Sequence, residues 1–228
     1  MAPDAVTELP FIRRYQARFE TTWSDGSAVE QIRFVVLDSE TTGLNPRIDR
    51  IVTIGAVAVQ DGEILLGDSF EALIQVAENT SAVTVHGITR DESRAGATEP
   101  EALERLLDYL GDAVIVGHHV GHDIAMLDAA CDRHWGVRLS NRSLDTMDLT
   151  LHLERDGAFA GRSPVRQFTL DALCEMFDVI PHDRHTANGD AFLTAQVFLR
   201  LQRLARNHGR RTLEHISEPF QVQSSEPM

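Results

Sequence analysis

Apolar positions recur along the chain with two different periods. Residues 32–37 (IRFVVL) are a continuous run rich in β-branched side chains, the pattern of a strand buried on both faces. Residues 48–59 and 63–75 read as a second and a third strand, and Asp61-Gly62 between them is a strong hairpin-turn pair. Residues 99–110 (EPEALERLLDYL) switch to helical spacing, with Pro100 suited to a first turn. Residues 113–117 (AVIVG) return to a short buried strand. A helix follows over 121–135, apolar at Ile124, Leu127, Cys131 and Trp135. A short strand or turn starts at Leu144, with helices expected near 147–154, 169–177 and 187–207. Turn residues and two arginines mark 156–167 (DGAFAGRSPVRQ) as an exposed loop. A three-stranded meander followed by alternating helices and strands predicts an α/β domain with a mixed sheet flanked by helices.

The pattern divides the chain into an N-terminal extension (1–31), a central domain (32–207) and a polar C-terminal tail (208–228) expected to fray after Gly209. In the extension, Phe11, Ile12, Tyr15 and Phe19 follow helical spacing, and Trp23 comes one turn later. A helix this short is marginal alone, so the stripe must bury against something. Packing on the chain's own domain or on a second copy is the expected outcome; docking on a partner protein is the alternative.

Composition narrows the class. With 228 residues, 43% hydrophobic and 25% charged, the chain can bury a sizeable core without staples. Cys131 and Cys174 each sit among apolar, helix-like residues, which fits reduced core thiols, and no Cys/His cluster suggests zinc. The N-terminus lacks a basic start followed by an apolar run, and no apolar stretch approaches the ~20 residues of a membrane span, so a cytoplasmic protein is expected. The net charge is −14, and all 21 basic residues are arginine. Such a chain is a poor non-specific nucleic-acid coat, because affinity for phosphates comes from basic groups. Arg47, Arg50, Arg162 and Arg166 are basic candidates for contacts, which predicts weak, salt-sensitive binding and distributive cleavage, with short strands degraded about as well as long ones.

Three constellations carry candidate chemistry. In LDSETTGL (37–44), Asp38 and Glu40 stand two apart at a strand end, so both carboxylates face the same way and can hold a hard divalent cation. Thr41, Thr42 and Gly43 offer hydroxyls and a backbone that a substrate can approach closely. In VGHHVGHD (116–123), Asp123 falls in the first turn of a helix, where an acid also serves the helix dipole. In DRHTANGD (183–190), Thr186 is a plausible N-cap, which puts His185 just outside the helix and Asp190 within its first turns. A histidine beside acids suits general-base work near neutral pH. Taken singly, each motif also fits a solvated strand end, a dipole-favoured helix start or a surface histidine.

In this order, the motifs DSETTGL, GHHVGHD and HTANGD closely resemble those of the DEDDh exonucleases, over roughly residues 32–207. The resemblance implies a ribonuclease-H-like sheet. It also implies 3′→5′ hydrolysis that releases nucleoside 5′-monophosphates from DNA ends, with RNA ends or a polymerase-bound subunit of secondary activity as alternatives. It assigns Asp38, Glu40, Asp123 and Asp190 to two Mg²⁺ or Mn²⁺ ions and His185 to the attacking water. Thr41, Thr42, Gly43 and Leu44, with His86 in VHGIT (85–89), fall at the terminal nucleotide. The implied partners are a single-stranded 3′ end and a DNA polymerase or second copy. Two positions depart from the family pattern: His119 stands where Asn is usual, and His122 where an aromatic residue is usual. Asp145 in SLDTMDL sits where the family often has an aspartate, in a supporting place. The charges support the metal assignment: four carboxylates cannot stay ionised together cheaply without cations, and two ions about 4 Å apart would neutralise them.

Overall fold

Strand β1 (Phe34–Thr41) is the middle of the sheet because its first half is apolar on both sides. Phe34 and Val36 enter one hydrophobic cluster, Val35 and Leu37 the other. The computed structural model describes residues 9–76, 96–160 and 168–221. β2 (Ile51–Gln60) and β3 (Glu63–Leu73) complete an antiparallel meander; β4 (Val114–Gly117) and β5 (Ser143–Asp145) add in parallel on the other side. The order is β3-β2-β1-β4-β5, the expected mixed sheet.

Helices cover both faces. α1 (Pro10–Ala17), α2 (Glu99–Leu110) and α3 (Gly121–Trp135) supply the cluster holding Val35 and Leu37. α4 (Thr146–Arg155), α5 (Leu170–Met176), α6 (Ala187–Asn207) and α7 (Leu213–Ser217) supply the other. Cys131 and Cys174 are unpaired and buried, one in each cluster. No described helix is long and apolar enough to cross a membrane.

The structure departs from the sequence-based expectation at three element ends. β1 runs on past residue 37 because Asp38 to Thr41 keep pairing with β2, as far as Ile51. β2 starts at Ile51, since 45–49 turn on hydrogen bonds from Ile48 N (3.1 Å) and Asp49 N (2.8 Å) to Asn45 O. Past Gly209 the chain does not fray at once. Leu213 and Ile216 bury in the second cluster, and Leu213 N donates to Ser27 O at 3.0 Å. An i, i+3 apolar pair on a five-residue helix is too brief to register as a period.

The N-terminal stripe is internal. Phe11, Ile12 and Tyr15 are buried with α2 and α3, Phe19 packs against them, and the Phe11 ring meets Trp135 edge-on at 4.9 Å. Trp23 does not continue the stripe. The helix ends at Ala17 and tightens into a 3-10 turn, and Trp23 packs against the opposite cluster.

Candidate active site

Alternation along β1 aims Asp38 and Glu40 at the face that α6 covers, where Phe34 and Val36 are already buried. Asp38 pairs with Gly55 of β2, and this glycine decides how closely α6 approaches. A Cβ on Gly55 would lie 2.4 Å from Ala187 C and Asn188 N. Its absence lets the first turn of α6 rest on the strand, which brings Asp190 against Asp38. The N-terminus of α6 is fixed by Thr186, whose hydroxyl accepts from Gly189 N at 3.1 Å and donates to Asp183 O at 2.6 Å.

The result is a group of three carboxylates: Asp38, Glu40 and Asp190 each offer an oxygen within 4.8 Å of the others. Burial first, then the charges of Asp123, Asp190 and Glu40, push the Asp38 carboxyl up to about 9. Burial and like charge thus favour the neutral form of Asp38, and a set of three hard oxygens at this spacing fits a divalent cation. The described groups supply one counter-charge: the Arg184 guanidinium hydrogen-bonds Asp190 and donates through Nε to Asp171 Oδ1 at 2.6 Å.

Asp123 does not join the three. It is buried in the first turn of α3, and its Oδ1 accepts from the Ser39 hydroxyl at 2.6 Å. Burial pushes it up to about 6, against the pull of that hydrogen bond. Its charge still acts on Asp38. His185 is exposed, with φ of 64°, and its backbone N–H donates to Asp190 Oδ2 at 3.3 Å. It lines a cavity of about 350 Å³ together with Glu40, Thr53, Glu71 and Asn188.

The loop after β1 is held by its own hydrogen bonds. Thr41 donates to Gly43 O at 2.8 Å, and Thr42 to Asp49 Oδ1 at 3.0 Å, so both hydroxyls are engaged inside the loop. Gly43 is needed for Asp49: a Cβ there would lie 2.7 Å from that carboxylate. The loop thereby holds Leu44 and Ile48 out in solvent, 82% and 71% exposed. His86 and the VHGIT segment lie outside the described residues. Asp145 is structural, as its supporting place implied: one oxygen caps α4 through Met147 N (2.9 Å) and holds His119 N (3.0 Å) in a turn with φ of 60°. His122 is half-buried beside Asp123.

Sequence reasoning missed Ser39, Arg184 and Ile48. Ser39 was findable, because alternation puts the residue between Asp38 and Glu40 on the opposite face, toward the helix that carries Asp123. Arg184 directly precedes His185, and only the turn at 183–186 shows where its side chain goes. Ile48 was hidden by its assignment to a strand.

Known proteins match this chain and its fold. The exonuclease family model (RNase_T) matches residues 35–198. The chain is 33% identical over 194 residues to a PolC-type DNA polymerase III from Thermotoga petrophila, covering 83% of this chain and 13% of the polymerase. It thus spans about an eighth of that relative's length. Among solved structures, it resembles E. coli exonuclease I in complex with a dT13 oligonucleotide (TM-score 0.65, 19% identity, 78% of this chain and 42% of that one). It also resembles the zinc-bound form of the same enzyme with single-stranded DNA (TM-score 0.63, 21% identity, 78% and 42%). These structures support the fold. The chain belongs to the exonuclease family, in its DEDD 3′→5′ group.

Proposed function

We propose that this chain removes nucleotides from the 3′ end of single-stranded DNA as nucleoside 5′-monophosphates, in the cytoplasm and in the setting of a DNA polymerase. The observation that carries this reading is the convergence of Asp38 and Glu40 from β1 with Asp190 from α6. The polymerase name of the sequence relatives favours DNA over RNA.

Asp38, Glu40 and Asp190 would hold two Mg²⁺ or Mn²⁺ ions, with Asp123 reaching the same site once it leaves Ser39. Bound divalent ions supply a polarised scissile phosphate and a water that ionises near neutral pH. Glu40 and His185 line one cavity, so a water held there would lie between a carboxylate that would hold metal and an imidazole. His185 takes the proton from that water. Its exposed position outside α6 leaves the ring free to turn toward the acids or the solvent. Leu44 presents an apolar surface to the terminal base, on a loop shaped by Thr41, Thr42 and Gly43, and the family resemblance assigns His86 to the same nucleotide.

Digestion of 5′-labelled DNA and RNA strands of matched sequence, with Mg²⁺, with Mn²⁺ and in excess EDTA, tests the reading. A ladder of shortening 5′-labelled DNA that stops in EDTA is expected. Full activity in EDTA would overturn the metal assignment, and a strong preference for RNA would overturn the substrate.

A further inference from the structure

The C-terminal half of α6 carries a feature that the exonuclease site does not use. No Asp or Glu stands between Asp190 and Glu214, in a chain holding 35 acids. Within that gap lie Arg200, Arg203, Arg206, Arg210 and Arg211, five of the chain's 21 basic residues. All five line one cleft of about 470 Å³, between α6, the β2–β3 turn and the segment leading into β1.

The charges of this cleft are largely unspent. Arg203 and Arg211 are exposed and form no ion pair with any described residue. Arg200 donates only to carbonyls, Phe177 O at 3.0 Å and Gln196 O at 2.9 Å, and so keeps its full charge. Arg206 reaches Glu30 only at 4.0 Å, with both side chains more than half exposed. Arg210 alone is firmly paired, to Asp156 at 2.7 Å. Guanidinium forks match phosphate geometry. The described aromatic ring in the wall, Phe34, is 1% exposed, so the cleft offers nothing on which a base could stack. Phosphates without base contacts describe a nucleic-acid backbone better than a nucleotide.

The cleft and the cavity at His185 share two walls. α6 lines the cavity at 187–189 and the cleft at 199–206, while β2 lines them at Thr53 and at Gln60. From Asp190 to Arg203 is about 20 Å along the helix at 1.5 Å per residue, which an extended single strand covers in roughly three nucleotides beyond the one being cut. We propose that the arginine cleft is a second nucleic-acid site, which grips the sugar-phosphate backbone of the substrate strand on the 5′ side of the terminus being cut. The inference rests on the reading that this chain acts on a nucleic-acid strand. It replaces Arg47 and Arg50 as the principal grip, since Arg50 is turned onto Ile48 O and Asp49 O.

The test compares the wild type with two triple variants, Arg203→Gln/Arg206→Gln/Arg211→Gln and the same positions changed to Lys. Substrates are a trinucleotide, too short to span both sites, and a twenty-nucleotide strand, each digested with Mg²⁺ at rising salt. The wild type is expected to show a KM at least about tenfold lower for the long strand. The Gln variant should lose that advantage with kcat and the trinucleotide KM unchanged. Its log–log salt slope should fall by about 2, from three contacts at about 0.7 each. The Lys variant, which keeps the charges, should keep most of the slope. No length advantage in the wild type, or an unchanged Gln variant, overturns the proposal. So does competition by inorganic phosphate or a mononucleotide as strong as that by a 3′-blocked strand, which would mark a nucleotide site. Stronger competition by poly-glutamate would mark an acidic protein partner and overturn it too. If the wild type digests neither substrate, the exonuclease reading fails. Retention of the long strand on immobilised wild type but not on the Gln variant then still supports the cleft, and equal retention overturns it.

Discussion

The two ends of α6 treat charge in opposite ways. At its first turn, Asp190 is 8% exposed and stands with Asp38 and Glu40, so like charges are crowded and partly dehydrated. At its far end, Arg203, Arg206 and Arg211 are exposed and solvated. Buried like charges need a specific counter-ion at a specific place, whereas solvated charges act through number and sign. The first end is thus suited to chemistry and the second to grip. Mutations should report this difference as loss of turnover in one place and loss of salt dependence in the other.

The largest effect is expected at the acidic end. Asp38→Ala or Asp190→Ala should lower kcat by about 10⁴-fold or more, because a metal's several kcal/mol of charge stabilisation is lost. In EDTA the Asp38→Ala variant should melt no lower than the wild type, since removing a buried acid among like charges relieves repulsion. A large fall in Tm would show that this acid is structural. His185→Ala should slow hydrolysis by roughly 10²–10⁴-fold with metal affinity retained. A wild-type rate across pH 6–9 would remove His185 from the proton transfer.

Gly55→Ala attacks the packing that places the first end. The new methyl meets backbone of Ala187 and Asn188, which cannot rotate aside. A cost of about 1–3 kcal/mol is expected, or roughly 2–4 °C in Tm per kcal/mol for a chain of this size. Mg²⁺ should also bind more weakly as Asp190 is pushed from Asp38, while the salt slope for long strands holds. Unchanged metal affinity would mean that α6 is positioned by something else.

The smallest effect concerns pH. Burial, and then the charge of His119, hold the His118 imidazole down to about 4 from its ordinary 6.5. Its Nδ1 lies 2.9 Å from the Thr146 hydroxyl. The unfolded chain takes up this proton at higher pH than the folded one, so the stability from His118 is present above pH 6.5 and lost as pH falls toward 4. His118→Gln should flatten Tm against pH across that window. The solvated arginines should contribute no slope there. An unaltered slope in the variant would assign acid sensitivity to other groups.

How far the sequence could be read follows the same division between local and distant causes. Asp38, Glu40 and Asp190 were legible because strand alternation and an N-cap fix directions over a few residues. The central strands and α2, α3 and α6 were legible for the same reason. The turn of Asp123 toward Ser39 was not, because that hydrogen bond joins residues from two elements. Trp23 left its stripe because a 3-10 turn changes the period. The arginines of α6 come together with others in a cleft only once the β2–β3 turn and the segment before β1 are folded around them.

The direction of α6 has a consequence of its own. Its peptide dipoles sum to about half a positive charge at the first turn and half a negative charge at the last. The acids cluster at the positive end, and Arg206 lies in the final turn at the negative one. Side chains and backbone thus counterbalance each other at both termini. The helix acts as a polarised rod through the domain whose formal charges oppose its own dipole. The formal charges exceed the dipole's half charge at each end, so the field that remains would turn an approaching polyanion toward the arginine end first.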